Sequence, residues 1–227
     1  MTGNFTQEQM EQIAVESWLC SMGDVIPLNL MIDVHAFNQE IAHFDDKWVP
    51  YLHKNDRSND RQGLSLFGLP GGGHSDGLSM PESIRKAKKM LHEMEFTEPT
   101  EVFKHCTSLH ETFKLFSPVG RSFLVKCNAG GWFYPHRDDP QLFRKSMRLI
   151  AFLKHSGAHQ YDFILDDRKV MVEEGRVYYI NTRKMHRTMS YVNDSIHLIM
   201  NIAPTMSSMR RMLSVLQHGW VNFSAVK

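Results

Sequence analysis

Apolar and polar positions divide the chain into two textures. In the first 117 residues apolar side chains recur at helical spacing, with Ile13 and Trp18 in 7–21 and Phe37, Ile41, Phe44 and Trp48 in 36–53. That spacing predicts two helices. Between them LNLMIDV (28–34) reads as a buried strand; GLSLFGL (63–69) is a second, short one, followed by the loop PGGGHSDG. Pro81 opens a third helix through ESIRKAKKMLHEM, since a first-turn proline lacks only an N–H that a helix start leaves unbonded anyway. Thr100 supplies an N-cap for a fourth helix over 100–116, which must stop before Pro118.

From Gly120 onward the pattern shortens. RSFLVKCNAG, MRLIAFLKH, YDFILD, KVMVEE, RVYYINT, RTMSYV and SIHLIMNIA succeed one another, with turn residues about every 8–12 positions, the rhythm of an all-β sandwich or barrel. SSMRRMLSVLQHG then returns to helical spacing. The expectation is a mainly β fold with flanking helices (α+β), organised as one domain over 1–227. Residues 1–119 form a helix-rich part with short strands packed on the core, 120–203 the β core, and 204–227 a C-terminal helix. There is no internal repeat and no low-complexity tract.

Composition narrows the function classes. With 227 residues, 42 % of them hydrophobic, the chain can bury roughly 70 % of its unfolded surface without staples. Lys and Arg total 26 against 25 Asp and Glu, a net charge of +1. That balance argues against non-specific duplex binding, which needs many uncompensated cations. Cys20, Cys106 and Cys127 are too few and too scattered for a disulfide framework or a thiolate zinc site. The expected setting is a reducing, cytoplasmic one. No apolar run nears the roughly 18 residues of a membrane span, and MTGNFTQEQMEQ does not read as a signal peptide.

The densest polar signal is Pro135-His136-Arg137-Asp138-Asp139, directly after a strand and the Gly130-Gly131 turn. In extended backbone His136 and Asp138 point to one side, and Arg137 points away from them. His186 opens a later segment, HRTMSYVND, and can supply a third ligand. Two histidines and one carboxylate leave open positions opposite, as in non-heme Fe(II) oxygenases. Zinc hydrolysis uses similar ligands, so residue types leave the metal open. With 13 histidines in the chain an isolated His-x-Asp is ordinary; its place after a turn, with a strand-rich stretch before the third histidine, gives it weight. The glycine-rich loop has neither a following Gly-Lys-Ser/Thr nor a GxGxxG pattern, so it is no nucleotide site. His105 and His110, five apart on a predicted helix, share no face and read as surface residues.

Taken in order, CNAGGWFYPHRDD, SMRLIAFL and VYYINTRKMHRTMSYVNDSIHLIMNI resemble the aspartyl/asparaginyl β-hydroxylase branch of the Fe(II)/2-oxoglutarate-dependent oxygenases. The matching stretch covers about residues 120–203. The resemblance implies a double-stranded β-helix core (a jelly-roll, cupin-like barrel) with helices against one sheet. It implies iron ligands at His136, Asp138 and His186, and Arg148 as a binder of a 2-oxoglutarate carboxylate, a task suited to a planar guanidinium. Asn193 matches the family's asparagine after the distal histidine and equally reads as a turn former. WVPYLHKNDRSNDRQGLSLFGLPGGGHSDG resembles the region around the family's substrate opening.

One position departs from the family. Ser195 stands where a second basic residue is usual, and His197, two positions on, faces the same way. Either His197 or Arg148 then takes over the carboxylate, or the co-substrate pocket is altered. The implied activity is hydroxylation of an amino-acid side chain, in a polypeptide or a free amino acid, with Fe(II), O₂ and 2-oxoglutarate consumed to succinate and CO₂. Two rivals stand beside it: a cupin-like metal- or small-molecule-binding protein without oxygenase activity, favoured by Ser195, and a nucleic-acid base hydroxylase, which needs a local basic patch such as Arg144, Lys145 and Arg148.

Overall fold

A computed structural model describes residues 6–51, 60–138 and 146–216. The N-terminal part comprises α1 (Gln7–Met22), β1 (Val25–Met31), α2 (Val34–Ile41), β2 (Val49–Pro50), β3 (Arg61–Gly68), α3 (Met80–Ala87), β4 (Glu98–Pro99), α4 (Glu101–His105) and α5 (His110–Phe116). Eight strands follow: β5 (Ser122–Cys127), β6 (Trp132–His136), β7 (Met147–Lys154), β8 (Tyr161–Leu165), β9 (Arg168–Lys169), β10 (Arg176–Ile180), β11 (His186–Ser190) and β12 (Ser195–Ile202). Helix α6 (Met206–Ser214) closes the described part.

The strands form two antiparallel sheets facing each other. The main sheet runs β1-β10-β7-β12-β5-β3-β2, with β4 on β3, and the smaller one β6-β11-β8-β9. From β5 onward the chain passes back and forth between the sheets, with the two-residue β9 pairing beside β8 in the smaller one, the winding of a double-stranded β-helix, as expected from the resemblance. Side-chain alternation explains the sequence texture. Along β7, Leu149, Ala151 and Leu153 enter the core beneath the helices, with Val15, Leu19, Phe37 and Phe116. Ile150 and Phe152 face the opposite way, onto Tyr161, Phe163 and Leu165 of β8. A strand buried on both faces reads as the unbroken apolar run MRLIAFL. β11 is different: His186, Thr188 and Ser190 are buried while Arg187 and Met189 are exposed, so it alternates and marks a sheet with one wet face.

Inward-facing residues form rows across the main sheet. Arg61, Cys127 and Ser195 are in register on β3, β5 and β12. The next row holds Val125, His197 and Phe152, and the one after it Phe123, Ile199 and Ile150. Asn201 and Arg148 form the last. These rows set the depth of the barrel, and roughly 13 Å separates the backbone of His197 from that of Asn201 at about 3.3 Å per residue.

Several helices are shorter than the periodicity predicts. The predicted helix 36–53 begins earlier and stops at Ile41; a 3-10 turn (Ala42–Phe44) and strand β2 follow. The 100–116 stretch keeps its Thr100 cap, whose side chain accepts from Phe103 N–H, but breaks at Cys106 (ψ 73°) into α4 and α5. α3 ends at Lys88 in a left-handed conformation, so the 82–94 helix is only half realised. KVMVEE contributes only the end of the two-residue β9; Val170 and Val172 pack on the barrel without pairing as a longer strand. Arg144, Lys145 and residues 217–219 of the predicted last helix lie outside the described residues.

Candidate metal centre

His136 ends β6 and His186 begins β11, and the two are register partners in the smaller sheet. The turn before β6 is set by Gly130 at φ +82°, a conformation glycine adopts without a Cβ clash, and Gly131, whose Cβ would meet the Asn128 carbonyl at 2.9 Å. Pro135 is tolerated because β6 is an edge strand. Beyond it Asp138 is fixed by its own N–H, which donates to the Thr182 carbonyl at 3.0 Å. Two turns and one strand pairing thus bring three donors together.

One donor atom from each of His136, Asp138 and His186 lies within 4.8 Å of the others. Both imidazoles are oriented the same way: His136 Nδ1–H donates to the Tyr134 carbonyl (2.8 Å) and His186 Nδ1–H to that of Lys184 (3.0 Å). Each Nε2 is left as the coordinating atom, the arrangement by which second partners fix metal-binding histidines. His136 Nε2 lies 3.9 Å from Asp138 Oδ1, and the His186 ring stacks on Phe163. Burial, aided by the neighbouring His136, lowers the His186 pKa and so favours the neutral imidazole that a metal requires. The donor set fits a divalent metal held on one face.

Arg148, expected at the co-substrate's carboxylate, pairs with protein groups beside the metal donors. Its Nη1 donates to Asp138 Oδ2 at 2.6 Å, its Nε to Asn201 Oδ1 at 3.3 Å, and its Nη2 lies 3.6 Å from Glu93 Oε1. Burial would raise the Asp138 pKa, but the Arg148 guanidinium, a Thr182 hydrogen bond and the two neighbouring imidazoles together hold the carboxylate below its usual value. Glu93 is bound in turn by Arg121 Nη1 at 3.1 and 3.2 Å. Asp138, Arg148, Glu93 and Arg121 therefore alternate in sign along a buried chain. Sequence reading missed Glu93, which sits in a 3-10 turn of the unremarkable HEMEF stretch.

The three donors open into a cavity of about 1170 Å³ between the sheets. Phe123, Val125, Phe133, Ile150, Phe152 and Phe163 supply apolar walls. At the inner end His197, 3 % exposed, stacks on Tyr161 at 4.0 Å, and its Nε2 has no hydrogen-bond partner among the described residues. A buried polar atom without a partner is costly and fits a polar ligand reaching that depth. Arg61 also lines the cavity, and the sequence had not singled it out. Ser195 Oγ is occupied by Ser190 Oγ (2.8 Å) and by the His155 carbonyl, to which it donates at 2.9 Å. Asn193 Oδ1 accepts from Ala129 N–H at 3.1 Å, tying its loop to the one before β6. His105 is exposed and packs on His43, while the half-buried His110 donates to the Phe103 carbonyl.

Burial depresses the His197 pKa to about 3, against about 6.5 in an unfolded chain. The unfolded state therefore binds the extra proton, and the associated stability is complete above about pH 6.5 and lost as pH falls toward 3. This group alone should give a slope of about 1.4 kcal/mol per pH unit within that window. Urea unfolding at stepped pH should show His197→Leu flattening the acid limb by that amount; parallel limbs would mean that the imidazole protonates without unfolding the site.

No family model matches the chain, nor does any curated protein. Among solved structures it is similar to a prolyl hydroxylase from Trichoplax adhaerens in complex with a hypoxia inducible factor peptide fragment (9 % identity, 95 % of this chain and 99 % of that one, TM-score 0.48). It is also similar to a Pseudomonas putida prolyl-4-hydroxylase (14 %, 85 % and 98 %, TM-score 0.44). A third is an oxidoreductase of the 2OG-Fe(II) oxygenase family from Burkholderia pseudomallei (12 %, 90 % and 92 %, TM-score 0.43). Among the described residues no helix is long and apolar enough to cross a membrane.

Proposed function

We propose that the chain is an Fe(II)- and 2-oxoglutarate-dependent dioxygenase that hydroxylates an amino-acid side chain. The observation that carries the reading is the convergence of His136, Asp138 and His186, with both imidazoles already turned Nε2-inward, at the mouth of a barrel with a polar inner end. Histidine and carboxylate donors on one face, leaving the opposite positions open, suit non-heme Fe(II). The ordered motifs CNAGGWFYPHRDD and RKMHRTMSYVND support placing the chain with the aspartyl/asparaginyl β-hydroxylases.

Iron bound there would supply oxidative decarboxylation of 2-oxoglutarate to succinate and CO₂ together with transfer of one oxygen atom of O₂ to a C–H bond. The protein's own contribution is orientation and dryness. His136 and His186 would hold the metal through Nε2. Asp138 offers Oδ1, because Arg148 occupies Oδ2. The phenylalanine and isoleucine walls exclude water from the inner cavity. The partly exposed Met80 and Tyr134 also line the cavity, where a substrate side chain would enter.

The test is succinate formation coupled to O₂ consumption when Fe(II) and 2-oxoglutarate are supplied, followed by mass spectrometry for a +O product among free amino acids and peptides. Metal binding with no succinate under any substrate would replace this reading with that of a cupin-like binding protein. Arg148 is a positioning residue on this account. Arg148→Ala should weaken metal affinity about 10- to 100-fold, as loss of an outer partner does, while 2-oxoglutarate affinity of the metal-saturated protein changes little. Chelator competition and calorimetry separate the two effects.

A further inference from the structure

We infer that Arg121 is a positioning residue: it fixes the segment 77–80, at the rim of the cavity, relative to Asp138, so that loading the metal and setting the rim are one coupled event. The inference rests on the proposed function, which makes that rim the edge a substrate crosses.

From Leu78 to Glu82 every residue lines the cavity, and exposure rises along them. Leu78 is buried, Ser79 and Met80 are half-buried, and Pro81 and Glu82 are exposed. The segment therefore climbs from the wall to solvent as α3 begins. Its lower end is tightly defined: Gly77 sits at φ +77°, and a Cβ there would meet the Phe96 ring at 2.8 Å.

Arg121, 4 % exposed, holds that lower end. Its Nε donates to the Gly77 carbonyl, its Nη2 to the Leu78 carbonyl at 2.7 Å, and its Nη1 to both Glu93 oxygens. The flat face of the same group lies over the cavity wall, its carbon 4.6 Å from the Phe123 ring centre. A guanidinium is a rigid planar fork, so the two carbonyls and the carboxylate keep one plane and one spacing. Arg148 is a second fork, bonded to Asp138 Oδ2. Two groups join the forks. Glu93 Oε1 lies 3.6 Å from Arg148 Nη2. Asn201 accepts from Arg148 Nε through Oδ1 and donates through Nδ2 to the Arg121 carbonyl at 2.5 Å.

The rim and the metal ligand are thus linked by an ionic route and an amide route in parallel. Parting any buried pair along the first would strand a charge, so the network passes a displacement on rather than absorbing it. A metal that draws on Asp138 pulls on Arg148 and, through Glu93 and Asn201, on Arg121. Linkage makes the effect equal in the reverse direction.

The test uses the full-length protein, Mn(II) as the probe, and hydrogen exchange followed by mass spectrometry on peptides spanning 76–84, with β10 as the reference. Mn(II) should slow exchange in the rim peptide of the unaltered protein about 5-fold or more and leave β10 unchanged. Arg121→Lys keeps a charge for Glu93 but gives up the fork. Its rim should exchange about 10-fold faster, since hydrogen bonds from a charged donor are lost. Mn(II) should bind it about 2- to 30-fold more weakly and no longer protect the rim. Gly77→Ala displaces the rim from its own end and should weaken Mn(II) binding in the same range, which decides the matter if the lysine variant does not fold. A folded variant with native Mn(II) affinity, or an unaltered protein whose rim exchange ignores Mn(II), overturns the coupling while the metal assignment stands. An unaltered protein that binds no Mn(II) removes the metal assignment as well.

Discussion

Alanine at His136, Asp138 or His186 should abolish metal binding and turnover, each substitution costing upward of ~100-fold in metal affinity. That figure is the upper end of what loss of an outer partner costs, and these groups are direct ligands. The reason lies in their arrangement: the Nε2 atoms are aimed by Nδ1–H bonds to the Tyr134 and Lys184 carbonyls, so each ligand is held in place before a metal arrives. Alanine at His105 or His110 should leave both properties intact, because the first packs on His43 at the surface and the second bonds the Phe103 carbonyl. Metal content measured by mass spectrometry on purified variants, beside circular dichroism for folding, checks this. Equal losses at all five positions would signify general unfolding and withdraw the site.

The second large effect is at Glu93, which is 1 % exposed and faces two guanidiniums. Glu93→Ala should destabilise the fold by about 3–5 kcal/mol, the cost of stranding a buried charge. Arg121 would keep its carbonyl acceptors at Gly77 and Leu78 but lose its counter-ion. Replacing Glu93 and Arg121 together by methionine should cost much less, since no lone charge then remains. Denaturant unfolding of the two singles and the double variant gives the coupling. A near-zero coupling would mean that water reaches Arg121. Glu93→Ala should also loosen the metal, because Arg148 loses one of the groups that hold it against Asp138.

These residues also mark what the sequence could tell. His136 and Asp138 were legible because two positions on an extended chain share a face, and His186 because it opens a recurring strand pattern. The strands of the core were legible because burial on both faces leaves long apolar runs. Arg148 was visible within MRLIAFL, but its partner was not: Asp138 meets it only through the fold, across residues 139–147. Glu93 carries no local signal, since a glutamate in a polar turn looks solvated until Arg121, just before β5, and Arg148 on β7 arrive from elsewhere in the chain. Arg61 depends on a register between β3, β5 and β12 that no periodicity encodes. Helix ends failed where tertiary contacts overrode spacing, as at Cys106, whose side chain enters the core while the chain changes direction.

β1 and β3 lie outside the eight-strand winding yet are hydrogen-bonded to it, β1 along β10 and β3 along β5. An excised segment 120–203 would bare the amide and carbonyl groups of β10 and β5 on opposite margins of its sheet, each a ready template for another chain. The half of the polypeptide with the weaker motifs thus has a second office, as the selvedge that keeps the β-core half from fraying into its neighbours.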